Sequence, residues 1–133
     1  MLKDFRFHHL GYAVKDISKA VEMYEKMGFI IGEVVTDTIQ NSQICFATKK
    51  GFPKFEFVAP VDDKSPINQT LQKSGNTPYH VCYEVDNLEE AIAALKPFHF
   101  IKLFNPVQAI GIENHRICYL YNKNNGLIEL VEA

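Results

Sequence analysis

Long apolar stretches are missing from this sequence of 133 residues. A helix that spans a bilayer needs about 20 consecutive apolar residues, and no stretch of the chain approaches that length. The N-terminal letters MLKDFRFHHLGYAV carry charges throughout, whereas a secretory signal peptide has a continuous apolar segment. We therefore expect a cytoplasmic protein that has no membrane partner.

An excess of charge of either sign is also missing. The formal net charge is −2, and the 14 lysine and arginine residues are scattered along the chain. Proteins that bind nucleic acids or anionic membranes present clustered basic residues, so neither is an expected partner. With 47% apolar and 23% charged residues, the composition is that of a folded globular protein. The expected partner is a small molecule.

Cysteine is scarce, and the three examples are Cys45, Cys82 and Cys118. Their number is odd, no two of them have CxxC spacing, and their neighbours are apolar or aromatic, as in QICFA and RICYL. We interpret all three as reduced core residues. A catalytic thiol is the alternative.

The sequence contains an internal repeat. HLGYAVKDISKAVEMYEKMGFI at residues 9–30 aligns without a gap on HVCYEVDNLEEAIAALKPFHFI at residues 80–101, with an offset of 71. ICFATKKGFPKFEFV at residues 44–58 aligns on ICYLYNKNNGLIELV at residues 117–131, with an offset of 73. Two long ungapped matches in the same order indicate a duplicated module.

The repeat predicts how the chain is organised. The parts of a single domain over residues 1–133 are a module at 5–60, a linker at 61–77 and a module at 78–133. In the linker, Ser65 has the character of an N-cap, Pro66 suits the first helical position and Gly75 suits the position after the last turn. We therefore expect a short helix in the linker.

Each module has the pattern of a strand, a helix and three further strands. FHHLGYAV and YHVCYEV are rich in β-branched and aromatic residues, as strands are. The N-cap residues Asp16 and Asn87 then precede apolar residues spaced three and four apart, as in amphipathic helices. The later strands are predicted at residues 30–36, 43–48, 54–59, 101–103, 115–121 and 127–132. The pattern predicts an α+β fold of two tandem βαβββ modules.

Each module places one histidine and one glutamate on the side of its strands that the helix does not cover. Side chains alternate along a strand, which puts His9 and His80 opposite the helix-facing residues. Glu56 and Glu129 have the same parity. A single such residue is more simply a solvent-facing one, but the duplication repeats both types at equivalent positions. If the modules form a curved mixed sheet around a cavity, the four side chains suit one divalent ion of Zn, Co, Ni, Mn or Fe.

Four segments resemble the vicinal oxygen chelate superfamily, which includes glyoxalase I, methylmalonyl-CoA epimerase and the bleomycin-resistance proteins. They are HHLGYAVKDISKAVEMYEKMGF, FEFVAPVDDKSPINQTL, YHVCYEVDNLEEAI and GLIELVE. The chain looks most similar to the epimerases. The resemblance implies a glyoxalase-like fold, a homodimer, and metal ligands at His9, Glu56, His80 and Glu129.

The resemblance also bears on the reaction. It implies that Glu129 or Glu56 moves a proton next to a carbonyl group through an enolate, as in an epimerase that acts on an acyl-CoA thioester. One alternative is a glyoxalase I-like lactoylglutathione lyase or isomerase, acting on a thiol adduct. Another is a non-catalytic protein that binds an antibiotic or other small molecule. We expect an enzyme. The sequence departs from the epimerase pattern at residues 121–123, where it has YNK and epimerases usually have HPK.

Overall fold

The structure, a computed structural model, describes residues 2–133. Those residues contain ten β-strands and three α-helices, together with three short 3-10 turns. They divide into an N-terminal unit, residues 9–79, and a C-terminal unit, residues 2–8 with 80–133. Within the described residues, none of the helices combines the length and the apolar character needed to span a membrane.

The N-terminal unit contains two helices and five strands. Its elements are β1 (Arg6–Ala13, of which residues 6–8 belong to the C-terminal unit), α1 (Ile17–Lys26), β2 (Ile30–Ile31), β3 (Val35–Asp37), β4 (Ser42–Thr48), β5 (Phe55–Pro60) and α2 (Ile67–Ser74). The strand order is β2-β4-β5-β1, and β3 also pairs with β4. Strands β1 and β5 are parallel, whereas the pairs that involve β4 are antiparallel.

The C-terminal unit repeats this arrangement. Its elements are β6 (Thr77–Val85, of which residues 77–79 belong to the N-terminal unit), α3 (Leu88–Leu95), β7 (Ile101–Lys102), β8 (Val107–Ala109), β9 (His115–Asn122) and β10 (Gly126–Glu132). The strand order is β6-β10-β9-β7, and β8 also pairs with β9. Again the first and last strands are parallel and the others antiparallel. Helices combined with mixed strands confirm the predicted α+β class.

The strand predicted at residues 30–36 is wrong in one respect, because it is interrupted. Ile31 lies opposite Ala47 but Val35 lies opposite Ile44, so four steps along one strand match three along β4. Such a bulge divides the strand into β2 and β3. In the C-terminal unit the strand predicted at residues 101–103 is present as β7, and the short strand β8 was not predicted. Pro106, which has no N–H to give to the sheet, lies between them.

The helices α1 and α3 begin directly after the predicted N-cap residues. The Asp16 carboxylate accepts a hydrogen bond from Lys19 N at 3.2 Å, and the Asn87 side-chain oxygen accepts one from Glu90 N at 2.9 Å. Each cap satisfies a backbone donor that the first helical turn leaves without a partner. Both predictions are confirmed, and the caps fix where each helix leaves its strand.

The helix in the linker is confirmed, but Ser65 is not its cap. The helix runs from Ile67 to Ser74 after Pro66, and no side-chain cap is present. The Ser65 hydroxyl instead accepts hydrogen bonds from Val61 N at 2.8 Å and Asp62 N at 3.1 Å. The serine closes the turn that precedes the helix, an alternative use of the same residue type.

The cores show which strand faces the helices cover. In the N-terminal unit, Tyr12 and Val14 pack with Ile17 of α1, on the side of β1 opposite His9. In the C-terminal unit, Val85 and Leu130 pack with Leu88 of α3, on the side opposite His80 and Glu129. The alternation predicted for β1, β6 and β10 is therefore present, and both module helices lie away from the candidate ligands.

Candidate metal centre

The N-terminal unit brings His9 and Glu56 together. Strands β1 and β5 pair in parallel, with Gly11 directly opposite Glu56, and His9 lies two residues before Gly11 on the same face. His9 Nε2 lies 3.2 Å from Glu56 Oε1.

The C-terminal unit contains the same pair in the same register. Cys82 lies directly opposite Glu129, and His80 lies two residues before Cys82. His80 Nε2 lies 3.1 Å from Glu129 Oε1, almost the distance found in the other unit. Within each unit the structure therefore brings together the histidine and the glutamate that the sequence singled out.

Burial limits what these pairs can do chemically. Both histidine side chains are 0% exposed, and the side chains of Glu56 and Glu129 are 3% and 2% exposed. A carboxylate removed from water is costly unless a hydrogen-bond donor or a cation compensates for the lost hydration. Each pair offers one imidazole nitrogen and one carboxylate oxygen, donors that Zn, Co, Ni, Mn and Fe accept. The residues present therefore fit a divalent metal ion.

An aromatic residue accompanies each pair and was not recognised in the sequence as part of the site. Phe46 of β4 lies opposite Glu56, and its ring is 5.3 Å from the His9 ring, edge to face. Tyr119 of β9 lies opposite Glu129, and its ring is 5.3 Å from the His80 ring. Phe46 and Tyr119 are related by the offset of 73 that already pairs Cys45 with Cys118. That offset was the signal that could have identified them.

The three cysteines are buried, and within residues 2–133 none of them forms a disulfide bond, as predicted for reduced core residues. The Cys45 thiol donates to Gly32 O at 3.3 Å, and the Cys118 thiol donates to Phe104 O at 3.2 Å. Burial raises the pKa of both thiols, which keeps them protonated at neutral pH. A protonated, enclosed thiol is a poor nucleophile, so a catalytic role for these two is disfavoured.

The departure at residues 121–123 has a local structural explanation. Asn122 is buried, and its side-chain amide donates to Phe98 O at 2.9 Å. Its side-chain oxygen accepts from Asn125 N at 2.6 Å, which closes the turn between β9 and β10. The asparagine thus attaches the hairpin to the segment after α3 through bonds that a proline side chain cannot make.

Comparison with known proteins places this geometry in a family. The sequence profile described as the Glyoxalase/Bleomycin resistance protein/Dioxygenase superfamily matches residues 8–119. The chain belongs to this superfamily. The resemblance seen in the sequence is thereby confirmed.

Individual members of the superfamily narrow the comparison. Mouse mitochondrial methylmalonyl-CoA epimerase is 33% identical over 132 residues, which cover 96% of this chain and 73% of the mouse protein. The crystal structure of the Mycobacterium tuberculosis methylmalonyl-CoA epimerase matches with a TM-score of 0.84 and 26% identity, over 96% of this chain and 87% of that one. These relatives confirm the expected glyoxalase-like fold and an epimerase-like enzyme.

A third comparison concerns the fold alone. The Streptomyces coelicolor methylmalonyl-CoA epimerase (E43Q), in complex with 2-nitronate-propionyl-CoA, matches with a TM-score of 0.82 at 22% identity. The match covers 96% of each chain. The architecture described above therefore also occurs in an epimerase that holds an acyl-CoA analogue.

Proposed function

We propose that this protein is a metal-dependent epimerase that moves the proton next to the carbonyl of an acyl-CoA thioester, with methylmalonyl-CoA as the first substrate to test. The observation that carries the proposal is the duplicated buried His–Glu pair, with the same register and nearly the same distance in both units. The relatives supply the reaction class, since the mouse protein that is 33% identical is a methylmalonyl-CoA epimerase.

In the proposed enzyme, the two His–Glu pairs together bind one divalent ion. Each residue offers one donor atom, and the four ligands are His9, Glu56, His80 and Glu129. When bound, such an ion acts as a Lewis acid toward a carbonyl oxygen and stabilises the negative charge that develops there. The buried side chains of both pairs keep their donors away from water, which strengthens electrostatic interactions at the site.

Glu129 is the proposed proton carrier, and Glu56 is the alternative. Epimerisation removes the proton from one face of the carbon and returns it to the other face. Glu56 lies on β5 and Glu129 on β10, each next to a histidine that fixes the position of its carboxylate. A carboxylate within hydrogen-bond reach of the reacting carbon accepts the proton and later returns it.

A glyoxalase-type reaction on a thiol adduct is the second candidate, because the superfamily to which the chain belongs includes the glyoxalases. It differs in the destination of the proton, which moves to a neighbouring carbon instead of returning to its own. A homodimer and a cytoplasmic location also remain predictions. Light scattering on the purified protein tests the dimer.

Proton exchange with solvent tests the proposed function. The protein, with its metal content measured by mass spectrometry, is incubated with methylmalonyl-CoA in deuterium oxide. We expect one divalent ion per chain and loss of the C2 proton signal in the NMR spectrum. If the protein binds a metal ion but the C2 proton does not exchange, the epimerase proposal is contradicted and the thiol-adduct reaction is the remaining candidate. That reaction is then assayed with the glutathione adduct of methylglyoxal.

A further inference from the structure

A lysine lies on the same sheet face as the His9–Glu56 pair. Lys54 directly precedes β5, two residues before Glu56, so the two side chains share a face. The Lys54 ammonium lies over the Phe46 ring, 5.5 Å from its centroid, and that ring in turn packs on His9. The backbone is fixed beside β1, because Leu10 N donates to Lys54 O at 3.0 Å.

The fold does not require a cation at this position. The equivalent residue of the C-terminal unit, at the offset of 73, is Leu127. Lys49, in the hairpin that joins β4 to β5, does have a structural contact. Its Nζ donates a hydrogen bond of 2.6 Å to Met27 O, just after the end of α1. Lys54 instead holds its charge over an aromatic face, partly exposed to solvent, one ring away from a candidate metal ligand.

We propose that the Lys54 ammonium binds an anionic group of the substrate. This inference rests on the proposed function, because an acyl-CoA thioester of a dicarboxylic acid brings anionic groups of two kinds. One is the free carboxylate near the reacting carbon, and the other is the phosphates of the coenzyme. Both are oxyanions that an ammonium group recognises by charge and hydrogen bonds.

Calorimetric measurement of the affinity for two thioesters distinguishes the carboxylate from the phosphates as the group that Lys54 binds. Lys54→Gln is compared with the wild type for methylmalonyl-CoA and for methylmalonyl-pantetheine, which keeps the carboxylate and lacks the phosphates. Loss of one charge-assisted contact weakens binding about tenfold. Weakening for both ligands identifies the carboxylate, whereas weakening for the CoA thioester alone identifies the phosphates.

Two further variants control the experiment. Lys54→Arg keeps the charge and is expected to bind within about threefold of the wild type. Lys50→Gln removes one charge from the exposed turn of the same hairpin and is expected to change neither affinity. An unchanged melting temperature shows that Lys54→Gln is folded.

Because the experiment measures binding and not turnover, it tests the role of Lys54 independently of the proposed epimerase activity. If Lys54→Gln binds both thioesters as tightly as the wild type, the role of Lys54 is overturned even if the enzyme epimerises. A wild type that binds the thioester without exchanging its proton contradicts the epimerase alone. A wild type that binds neither thioester contradicts both.

Discussion

The two units have the same pair of candidate ligands but differ in what surrounds it. In the N-terminal unit the core beneath the helix contains a cluster of aromatic rings, with Tyr24 ring contacts to Phe29, Phe55 and Phe57 at 5.2 to 5.3 Å. In the C-terminal unit the corresponding core is mainly aliphatic, built around Leu88, Leu120 and Leu130. The fold therefore accepts different side chains at equivalent core positions, while both units contain a His–Glu pair at 3.1 to 3.2 Å.

A second difference lies at the surface beside the helices. Arg116 binds Glu89 through two bonds of 2.8 and 3.0 Å, and it binds Glu132 through two bonds of 2.9 and 3.1 Å. Glu132 also accepts from Leu88 N at 2.9 Å, at the start of α3. The equivalent of Arg116 in the N-terminal unit is the uncharged Gln43. The comparison separates residues that the duplicated fold needs from residues that serve one half only.

The largest effect on activity is expected from substitution of the two glutamates, and the two substitutions are expected to differ. Glu129→Gln is expected to slow deuterium exchange into methylmalonyl-CoA by a factor of about 10² to 10⁴, the usual contribution of a proton-transferring group. Glu56→Gln is expected to slow it less than about tenfold, because Glu129 is the proposed proton carrier and glutamine keeps an oxygen donor at position 56. Metal content is measured on both variants, and equal losses of exchange would contradict the assignment.

Core truncation at equivalent positions sharpens the comparison of the two cores. Phe57 and Leu130 are related by the offset of 73, and both are almost fully buried. We expect Phe57→Ala to lower the free energy of unfolding by about 4 kcal/mol and Leu130→Ala by about 3 kcal/mol, since larger deletions leave larger cavities. Urea denaturation measures both, with the exposed Phe52→Ala as the control. A loss below about 1 kcal/mol at either buried position would show that its core is not packed as described.

The smallest effect concerns acid stability, and it is confined to the C-terminal unit. The Arg116 guanidinium holds the pKa of Glu132 and of Glu89 below the ordinary value of 4.5. A carboxylate whose pKa is lowered by folding stabilises the protein above its unfolded pKa, and the contribution is lost as the pH falls through the folded value. We expect the melting temperature to fall less steeply below about pH 4.5 in Arg116→Gln than in the wild type. Parallel curves would contradict this, and Gln43→Ala is the matched control.

The sequence predicted the features that follow from local spacing and from the duplication. The alternation of strand residues put His9 and Glu56 on one face, and the repeat supplied the second pair. The bulge between β2 and β3 was missed, because it depends on the register with β4 and leaves no periodic signal. The sequence did not show that Phe46 packs on His9, because that contact depends on the pairing of β4 with β5. Whether the four ligands share one ion stays a prediction.

Metal binding by the metal-free protein tests that central claim most directly. Calorimetric titration with Co²⁺ is carried out on the wild type, on His9→Ala and on His80→Ala, with folding checked by circular dichroism. We expect one ion per chain for the wild type, and we expect either substitution to weaken binding by at least about a hundredfold, because each removes a ligand from the same site. Two ions per chain, or one ion that stays bound after either histidine is lost, would contradict a single centre built from both units.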